Sequence, residues 1–444
     1  MAGILALIVA FLYVKFILGI DGVNGIKRIF YPADFFALFY VLFFLLPYGV
    51  FWFFRDALSY RYVTEAYSDT TWVLSLIYSL LFVTLTYSIS RVTYNRSDFI
   101  YSLSRLSYNS DSGFFYKVLF IFLPLISIAF CLYNFGGANY QDYSINRTKE
   151  RSGLGYILMP IYWGGVGIVV YWMRYIFDKK YNVFRVLSLL ALVAGYTAFN
   201  LYMGSKSKGL VVLVWIVLCW FLLYSSKKAI KIKSIVLISI FIFSIGYVGL
   251  KFGDIREVLT KDIEVSSVES RTEIGSLFSK FNAFGSIENT MWLIENKESQ
   301  DITLGSTFYT VAVGWVPRSV WPEKPVGGGP TLRNLIHPGS YDIVNGFQLS
   351  SYSPGIISES YINFGFFGFI IVGVPFGIFL SFFAKLLSFI RKDYSLVTWV
   401  VCLYAIGYMM TGEVFGTFAR IFQFILPLII LSLFHSFFNK TFKV

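Results

Sequence analysis

The chain is poor in charge and in the residues that build metal and disulfide sites. Only 14% of its 444 residues are charged, whereas soluble domains average about 25%. It has two histidines, His337 and His435, and three cysteines in apolar runs, Cys131, Cys219 and Cys402. Three scattered thiols of this kind make neither a disulfide framework nor a zinc site.

Motifs for energy coupling are also missing. The chain has no P-loop, which excludes ATP hydrolysis, and no His-rich or paired-aspartate pattern that would hold a metal ion. Its apolar runs hold almost no central acidic residue, which disfavours a transporter coupled to protons or sodium ions. The sequence therefore predicts a function that needs neither a metal nor another cofactor.

Hydrophobic residues, in contrast, make up 57% of the chain. Apolar runs of about 20 residues recur from one end to the other, each long enough to cross a hydrocarbon core of about 30 Å. We therefore predict an all-α polytopic integral membrane protein with about eleven transmembrane helices. The predicted spans are 3–20, 35–54, 71–90, 114–134, 155–176, 184–203, 209–225, 234–252, 364–389, 396–412 and 417–437.

The net charge of +12 comes from basic loops, so we expect no nucleic-acid partner. Lysine and arginine cluster in 91–109, 178–185, 226–234 and 391–395, which the positive-inside rule places in the cytoplasm. Because successive loops alternate between the two sides of the membrane, the remaining loops are predicted outside. These outer loops are 55–70, 135–154, 204–208, 253–363 and 412–416.

The first 20 residues lack a basic start and a cleavage site, which predicts a retained first helix.

One outer loop is much longer than the others. We divide the chain into 1–252 with spans one to eight, a periplasmic loop at 253–363, and 364–444 with spans nine to eleven. The loop holds 13 of the 25 acidic residues, and a long insertion among short loops is usually functional. Apolar spacing predicts an amphipathic helix within 270–295, and 306–317 is apolar but too short to span.

Next comes the stretch VPRSVWPEKPVGGGP, 316–330, whose prolines and glycines predict a stiff charged hairpin at the outer membrane surface. Arg318 lies between Pro317 and the WPEKP turn, so its position is restricted. Arginine binds phosphate oxygens in bidentate fashion. Arg318 is therefore the strongest candidate for binding phosphate, and Lys324 on the same loop is a second.

Other cations are predicted on the outer side, against the usual charge rule. The turn GSKSKG carries Lys206 and Lys208 next to the start of a helix, whose free N–H groups favour a phosphate. An ordinary polar turn is the alternative. Arg420 lies within the last span, where it either binds an anion or pairs with Glu413. The remaining outer candidates are Arg147, Arg151 and Arg271.

Two residues could act as a general base. Glu359 lies just before the ninth span, where a carboxylate can accept a proton from a substrate hydroxyl, although an acidic residue is also favoured at any helix start. His337 titrates near neutral pH with little tuning. Trp315, Trp321 and Tyr352 could stack on sugar rings, but tryptophan and tyrosine also populate membrane interfaces.

The segment PRSVWPEKP, followed about 30 residues later by SPGIISESYINFGFFG, resembles the bacterial oligosaccharide repeat-unit polymerases, the Wzy-type O-antigen polymerase family. The layout is similar over nearly the whole chain, and the motifs match over about 316–369. The turn GSKSKG is similar to a family feature, although an arginine is commoner there. The lysine in its place weakens the phosphate role of Lys206 and Lys208.

The resemblance implies an inner-membrane glycosyltransferase of lipopolysaccharide biosynthesis. Such enzymes move a growing glycan from undecaprenyl diphosphate to the non-reducing end of a lipid-linked repeat unit at the periplasmic face. We expect direct displacement with inversion and without a metal. Arg318 would stabilise the departing diphosphate, Glu359 first and His337 second would serve as base, and a chain-length regulator is a possible partner. The cations expected to assist Arg318 are Lys324, Lys206, Lys208, Arg271 and Arg420.

Two other functions compete with this one. An O-antigen ligase uses the same donor and has a similar architecture. Such ligases resemble one another in an essential loop histidine, whereas the match of this chain around 317–325 favours the polymerase. A lipid-linked oligosaccharide flippase would have short loops and charges along several spans, which the 253–363 segment disfavours. The sequence leaves open the sugar, its linkage and the choice between Glu359 and His337 as base.

Overall fold

The computed structural model of the chain is built almost entirely of helices. It divides into two compact units, each discontinuous in sequence. Unit 1 comprises Met1–Ser102, Arg271–Ser388 and Leu403–Arg420, and unit 2 comprises Leu103–Ser270, Phe389–Cys402 and Ile421–Val444. The structure describes residues 2–18, 30–58, 60, 62–63, 65–94, 114–135, 155–178, 182–203, 206–227, 287–296, 301–317, 320–342, 347–348, 352–386 and 394–441.

Unit 1 begins with three apolar helical stretches. Its second stretch changes from an α-helix to a π-helical turn over Val41–Leu45, returns to an α-helix and ends as a 3-10 helix over Trp52–Ala57. Its helices are α1 (Ala2–Leu18), α2 (Pro32–Tyr40), α3 (Leu46–Phe51) and α4 (Asp69–Thr93), followed later in the chain by α10 (Ile287–Glu295), α11 (Ser306–Val313), α12 (Gly328–Ile336), α13 (Gly355–Phe364), α14 (Gly368–Ile371) and α15 (Gly373–Leu386).

Unit 2 holds the middle of the chain. A π-helical turn, Val118–Phe122, joins its first two helices. Its helices are α5 (Phe114–Lys117), α6 (Leu123–Phe135), α7 (Gly155–Asp178), α8 (Val183–Tyr202) and α9 (Lys206–Lys227). Two further helices, α16 (Ser395–Tyr408) and α17 (Val414–Thr441), are divided between the units.

Ten of the eleven predicted spans coincide with helices, and the eighth, 234–252, lies outside the described residues. Within the described part, six helices are long and apolar enough to cross a membrane, or seven if the bent pair Gly355–Ile371 and Gly373–Leu386 counts as one span. Three further apolar helices are shorter, 10–17 residues each. The chain therefore has the composition and helix lengths of a membrane-embedded protein.

The helical core of unit 1 is joined by tyrosine hydroxyls. Tyr40 shares a hydrogen bond of 2.8 Å with Ser79 of α4, and both side chains are buried. Tyr48 donates to the backbone carbonyl of Trp72 at 2.6 Å. Buried hydroxyls need partners, and small polar residues on one face of α4 allow the neighbouring helices to approach closely.

The helical segment Gly355–Ile371 begins before the predicted ninth span, and it is bent by 66° relative to the following helix, Gly373–Leu386. Helix α13 ends where Gly365 adopts a φ of 56°, a conformation that glycine enters without steric cost. Helix α15 then packs along α4, where the Thr86 hydroxyl donates to the carbonyl of Gly373 at 3.1 Å. The predicted span 364–389 therefore corresponds to only the second part of a longer bent structure.

Unit 2 packs α7 against α6 and α9 through small residues. The Tyr116 hydroxyl donates to the carbonyl of Gly167 at 3.1 Å, and the Trp163 indole donates to the carbonyl of Gln423 at 3.0 Å. These bonds satisfy polar groups inside an apolar bundle, where an unpaired group is costly.

The described part of the predicted 253–363 loop contains the helices α10, α11, α12 and most of α13, joined by turns and irregular segments. It also contains a two-residue ladder that pairs Tyr341–Asp342 with Phe347–Gln348. Of the predicted helix within 270–295, the structure describes the end, α10, which is almost fully buried. The stretch 306–317 forms α11 and its following turn. These elements belong to unit 1 and carry most of the candidate site.

Candidate functional site

Two glutamates on neighbouring elements of unit 1 form the centre of the candidate site. Glu359 belongs to α13, whose residues 355–363 are all buried, and Glu413 immediately precedes α17. The N–H of Ile356 donates to the carbonyl of Met409 at 2.8 Å, which joins the start of α13 to the turn after α16. We call Glu359 and Glu413 the glutamate pair.

The carboxyl group of Glu359 accepts hydrogen bonds from two other parts of the chain, and its side chain is 0% exposed. The Thr307 hydroxyl donates to its Oε1 at 2.8 Å, and the Val414 N–H donates to its Oε2 at 2.9 Å. A buried carboxyl group is tolerated only when such donors replace water.

A second layer of hydrogen bonds holds the Thr307 hydroxyl in place. The Asn363 side-chain amide donates to Oγ1 of Thr307 and to the carbonyl of Glu359, both at 2.7 Å. Its own oxygen accepts from the Thr303 hydroxyl at 2.9 Å. The orientation of the Glu359 carboxyl group therefore depends on α11 as well as α13.

Glu413 binds the same short segment from another direction. Its Oε2 accepts the N–H of Gly329 at 2.9 Å. Burial raises the pKa of Glu413 above its ordinary value, although the Gly329 N–H and the positive charge of Arg420 act in the opposite sense. The carboxyl group therefore holds its proton to a higher pH than a glutamate in water.

The run of three glycines in the sequence is explained by these contacts. An added Cβ at Gly327 would lie 2.6 Å from Oε2 of Glu413, and one at Gly328 would lie 2.5 Å from the Cδ of Glu359. Real Cβ atoms essentially never approach so closely. At these two positions the backbone can pass between the carboxyl groups only because it carries no side chain.

Lys324 closes the loop that leads to these glycines. Its Nζ donates to the carbonyls of Gly314 and Val316 at 3.0 and 2.6 Å. These carbonyls follow the C-terminus of α11, where a cation is favoured by the helix dipole. Lys324 thus folds the loop, and whether it also binds a diphosphate stays a prediction.

The tryptophans of this region differ in exposure. Trp315 is 73% exposed, and its indole N–H donates to the carbonyl of Ala312 at 2.6 Å. Trp321 is half-buried, and its backbone N–H donates to the carbonyl of Pro317 at 3.1 Å. Of the two, Trp315 presents the larger surface for stacking on a sugar or for lying in a membrane interface.

His337 and Tyr352 lie close together at the end of α12. Their ring centroids are 6.1 Å apart, and His337 is exposed. The ring of Tyr352 also contacts that of Tyr62 at 5.2 Å and the guanidinium of Arg333 at 5.1 Å. The sequence reasoning did not single out Arg333 or Tyr62, whose contacts with Tyr352 depend on tertiary packing.

Arg420 stacks on an aromatic ring. Its guanidinium lies 3.9 Å from the ring centroid of Tyr408, a cation–π contact that keeps the charge at the start of α17. The positive charge of Arg420 lowers the pKa of Glu413, against the larger effect of burial. Whether Arg420 also binds an anion stays a prediction.

The other predicted cations fall into two groups. Lys206 and Lys208 belong to the first turn of α9 in unit 2, which begins three residues earlier than the predicted span. The predictions that concern Arg318, Arg271, Arg147 and Arg151 lie outside the described residues.

The sequence reasoning missed several members of the site: Glu413 as a partner of the glycines, Thr307, Asn363 and the glycines themselves. Three consecutive glycines before a helix were a usable signal for close approach of another group. Among the described residues, no group of three or more His, Cys, Asp or Glu side chains could hold a metal ion. Comparison with protein-family models, curated proteins and solved structures gave no match for this chain.

Proposed function

We propose that this protein is an oligosaccharide repeat-unit polymerase. It would transfer a growing glycan from undecaprenyl diphosphate to the non-reducing end of a lipid-linked repeat unit at the periplasmic face of the bacterial inner membrane. In this proposal the chain has eleven spans in a GT-C-like arrangement, with the 253–363 segment outside. A polysaccharide chain-length regulator would be its partner.

The observation that carries the proposal is the meeting of two separate sequence segments. The segments 317–325 and 353–368 are those in which the chain resembles the polymerase family. In unit 1 the residue Gly328, which follows the first segment, lies against Glu359 of the second, so closely that an added Cβ at Gly328 would be 2.5 Å from the Cδ of Glu359. Residues distant in sequence that converge around buried polar groups are typical of a site.

The donor's leaving group determines which residues should act on it. When the bond between the anomeric carbon and the phosphate oxygen breaks, its electron pair leaves with the diphosphate. Fixed cations stabilise that charge, often the largest catalytic term. In the proposal Arg318 does this directly, while Lys324 holds the loop on which Arg318 lies through the carbonyls of Gly314 and Val316.

The acceptor hydroxyl must lose its proton as its oxygen bonds to the anomeric carbon. Of the two candidate bases, we favour His337, because its ring is exposed and a hydroxyl can reach it. Glu359 is fully buried, and the oxygens of its carboxyl group already accept donors from Thr307 and Val414. Trp315 offers an exposed ring on which the sugar chain could stack.

The proposal is tested with the surface glycan of a strain that lacks this chain. A gel should show core bearing a single repeat unit, because export and ligation continue while extension stops. Return of the full chain should restore the ladder. Loss of every repeat unit from the core would refute the polymerase and indicate the ligase or the flippase.

The two rivals are separated by the lipid-linked pool. A strain without a ligase accumulates polymerised glycan on undecaprenyl diphosphate, because extension does not depend on the core. A strain without a flippase accumulates single units on the cytoplasmic side. Sizing of the lipid-linked material therefore separates the ligase from the other two functions, and the core gel separates the polymerase from the flippase.

A further inference from the structure

We propose that Glu359 and Glu413 are positioning residues that together fix the start of α12, and with it the segment 320–327 that carries Lys324. As a statement about activity this inference rests on the proposed polymerase function. As a statement about how the loop is held, it stands on the geometry alone.

The first step is the missing cap of α12. The first N–H groups of any helix have no partner within the helix, and α12 has glycine at its N-cap, with no side-chain hydrogen bond. The N–H of Gly329 instead donates to Oε2 of Glu413 at 2.9 Å, and the Glu359 carboxyl group packs against Gly328, where an added Cβ would lie 2.5 Å from its Cδ. A carboxyl group from a distant element therefore replaces the local cap, and a second one packs against the same turn.

The second step is that the glutamate pair binds the first turns of two helices, α12 and α17. Glu413 precedes α17 and binds the start of α12, while the Val414 N–H at the start of α17 donates to Glu359 at 2.9 Å. The glutamate pair thus ties the first turns of both helices to α13. Negative or partly negative groups are favoured at helix N-termini, which strengthens both contacts.

The third step concerns the loop between α11 and α12. At its beginning, the carbonyls of Gly314 and Val316 are held by Lys324. At its end, Gly327 and Gly328 pass so close to the glutamate pair that a Cβ at either would clash. The loop is therefore fixed at both ends, and loss of either carboxyl group would release its C-terminal end.

The chemistry required of a positioning residue differs from that required of a base. Glu413 accepts one N–H, so an acceptor of the right length with one oxygen is enough there, and glutamine can replace glutamate while aspartate cannot. Both oxygens of Glu359 accept hydrogen bonds, so glutamine at that position keeps only one of them. Aspartate is shorter by one carbon–carbon bond, about 1.5 Å, so the hydrogen bond of 2.9 Å from the Gly329 N–H would be lost. A base needs the carboxylate itself, so glutamine would abolish its function.

The experiment is amide hydrogen exchange of the full-length protein in lipid nanodiscs, followed in the peptide 326–336. Glu413→Asp should accelerate exchange of the Gly329 amide by about tenfold, the typical effect of losing one such bond, and Glu359→Asp should accelerate exchange in the same turn because Gly328 loses the group it packs against. Glu413→Gln should leave exchange close to that of the wild type. The matched control is Gly195→Ala, because an added Cβ at Gly195 meets nothing within 4 Å.

The same variants are assayed for glycan chain length. The aspartate variants should lose extension along with amide protection, and Glu413→Gln should keep extension within about tenfold of the wild type. Abolished extension in Glu359→Gln with unchanged exchange would overturn the inference, because Glu359 would then act as the base. Unchanged exchange in both aspartate variants would overturn it as well.

A further variant covers the case in which an aspartate variant does not fold. Gly327→Ala leaves both carboxyl groups in place but puts a Cβ 2.6 Å from Oε2 of Glu413. It should accelerate exchange in 326–336 in the same way, and normal exchange in this variant would refute the inference. If the wild-type chain restores no ladder, the proposed function fails while the exchange measurements still decide how the loop is held.

Discussion

Replacement of Gly328 by alanine would place a methyl group where the Glu359 carboxyl group now lies. The new Cβ would be 2.5 Å from Cδ and 2.8 Å from Oε1, whereas ordinary contact begins at 3.4 Å. The carboxyl group or the loop must therefore retreat by about 0.9 Å. If the carboxyl group moves, its bonds with Thr307 and Val414, which now measure 2.8 and 2.9 Å, are strained or broken. If the loop moves instead, the Gly329 N–H is drawn away from Glu413.

The cost of Gly328→Ala follows from these displacements. Overpacking of a buried site costs about 1–3 kcal/mol, and a buried polar group left without its partner costs about 1–3 kcal/mol more. For a unit of this size, the sum corresponds to a decrease of about 5–15 °C in the apparent Tm. The measurement is thermal unfolding of the purified full-length protein in detergent, with the glycan ladder as a second readout.

Gly195→Ala is the control for this experiment. Gly195 lies within α8 and has open space around it, and alanine in a helix interior is favoured over glycine by about 1 kcal/mol. Its apparent Tm should therefore equal or exceed that of the wild type. An unchanged Tm and a normal ladder in Gly328→Ala would show that the glycine run does not pack around Glu359 as described.

The remaining predictions concern charge, pH and helix packing. Arg318→Ala should reduce chain extension by about 10²–10³-fold without loss of expression, and normal chain lengths would rule out its role. Lys324→Ala should lower both thermal stability and extension, because two carbonyls lose their donor; an unchanged Tm would contradict this. The raised pKa of Glu413 means that the folded state binds its proton more tightly, so this stabilisation is present at low pH and is lost as the pH rises from about 4.5 through the raised value. The Tm of the wild type relative to Glu413→Gln should therefore increase from about pH 8 to about pH 5, and the opposite trend would refute the assignment. Tyr40→Phe should lower the free energy of unfolding by about 1 kcal/mol through loss of its bond with Ser79, and a Tm equal to that of the wild type in thermal unfolding would contradict this.

Much of the helical layout was predictable because it depends on local composition. Runs of apolar residues with few charges can satisfy their backbone only as helices in a lipid environment, and ten of the eleven predicted spans coincide with helices. The stretch around Lys324 was recognisable as a constrained loop, because proline and glycine act on the backbone at their own positions. The helix 355–364 before the ninth span was not predicted, although Glu359 was noted for its place there.

The sequence by itself determined where apolar helices form and which segments carry unusual charges and turns, since both follow from neighbouring residues. Only the tertiary structure decided that Glu413 binds the N–H of Gly329, a residue 84 positions away, and that Lys324 folds its own loop. Hydrogen bonds between distant residues depend on packing, which residue order does not reveal locally. The three glycines show the difference: their presence was visible in the sequence, and their reason, two carboxyl groups against the backbone, was not.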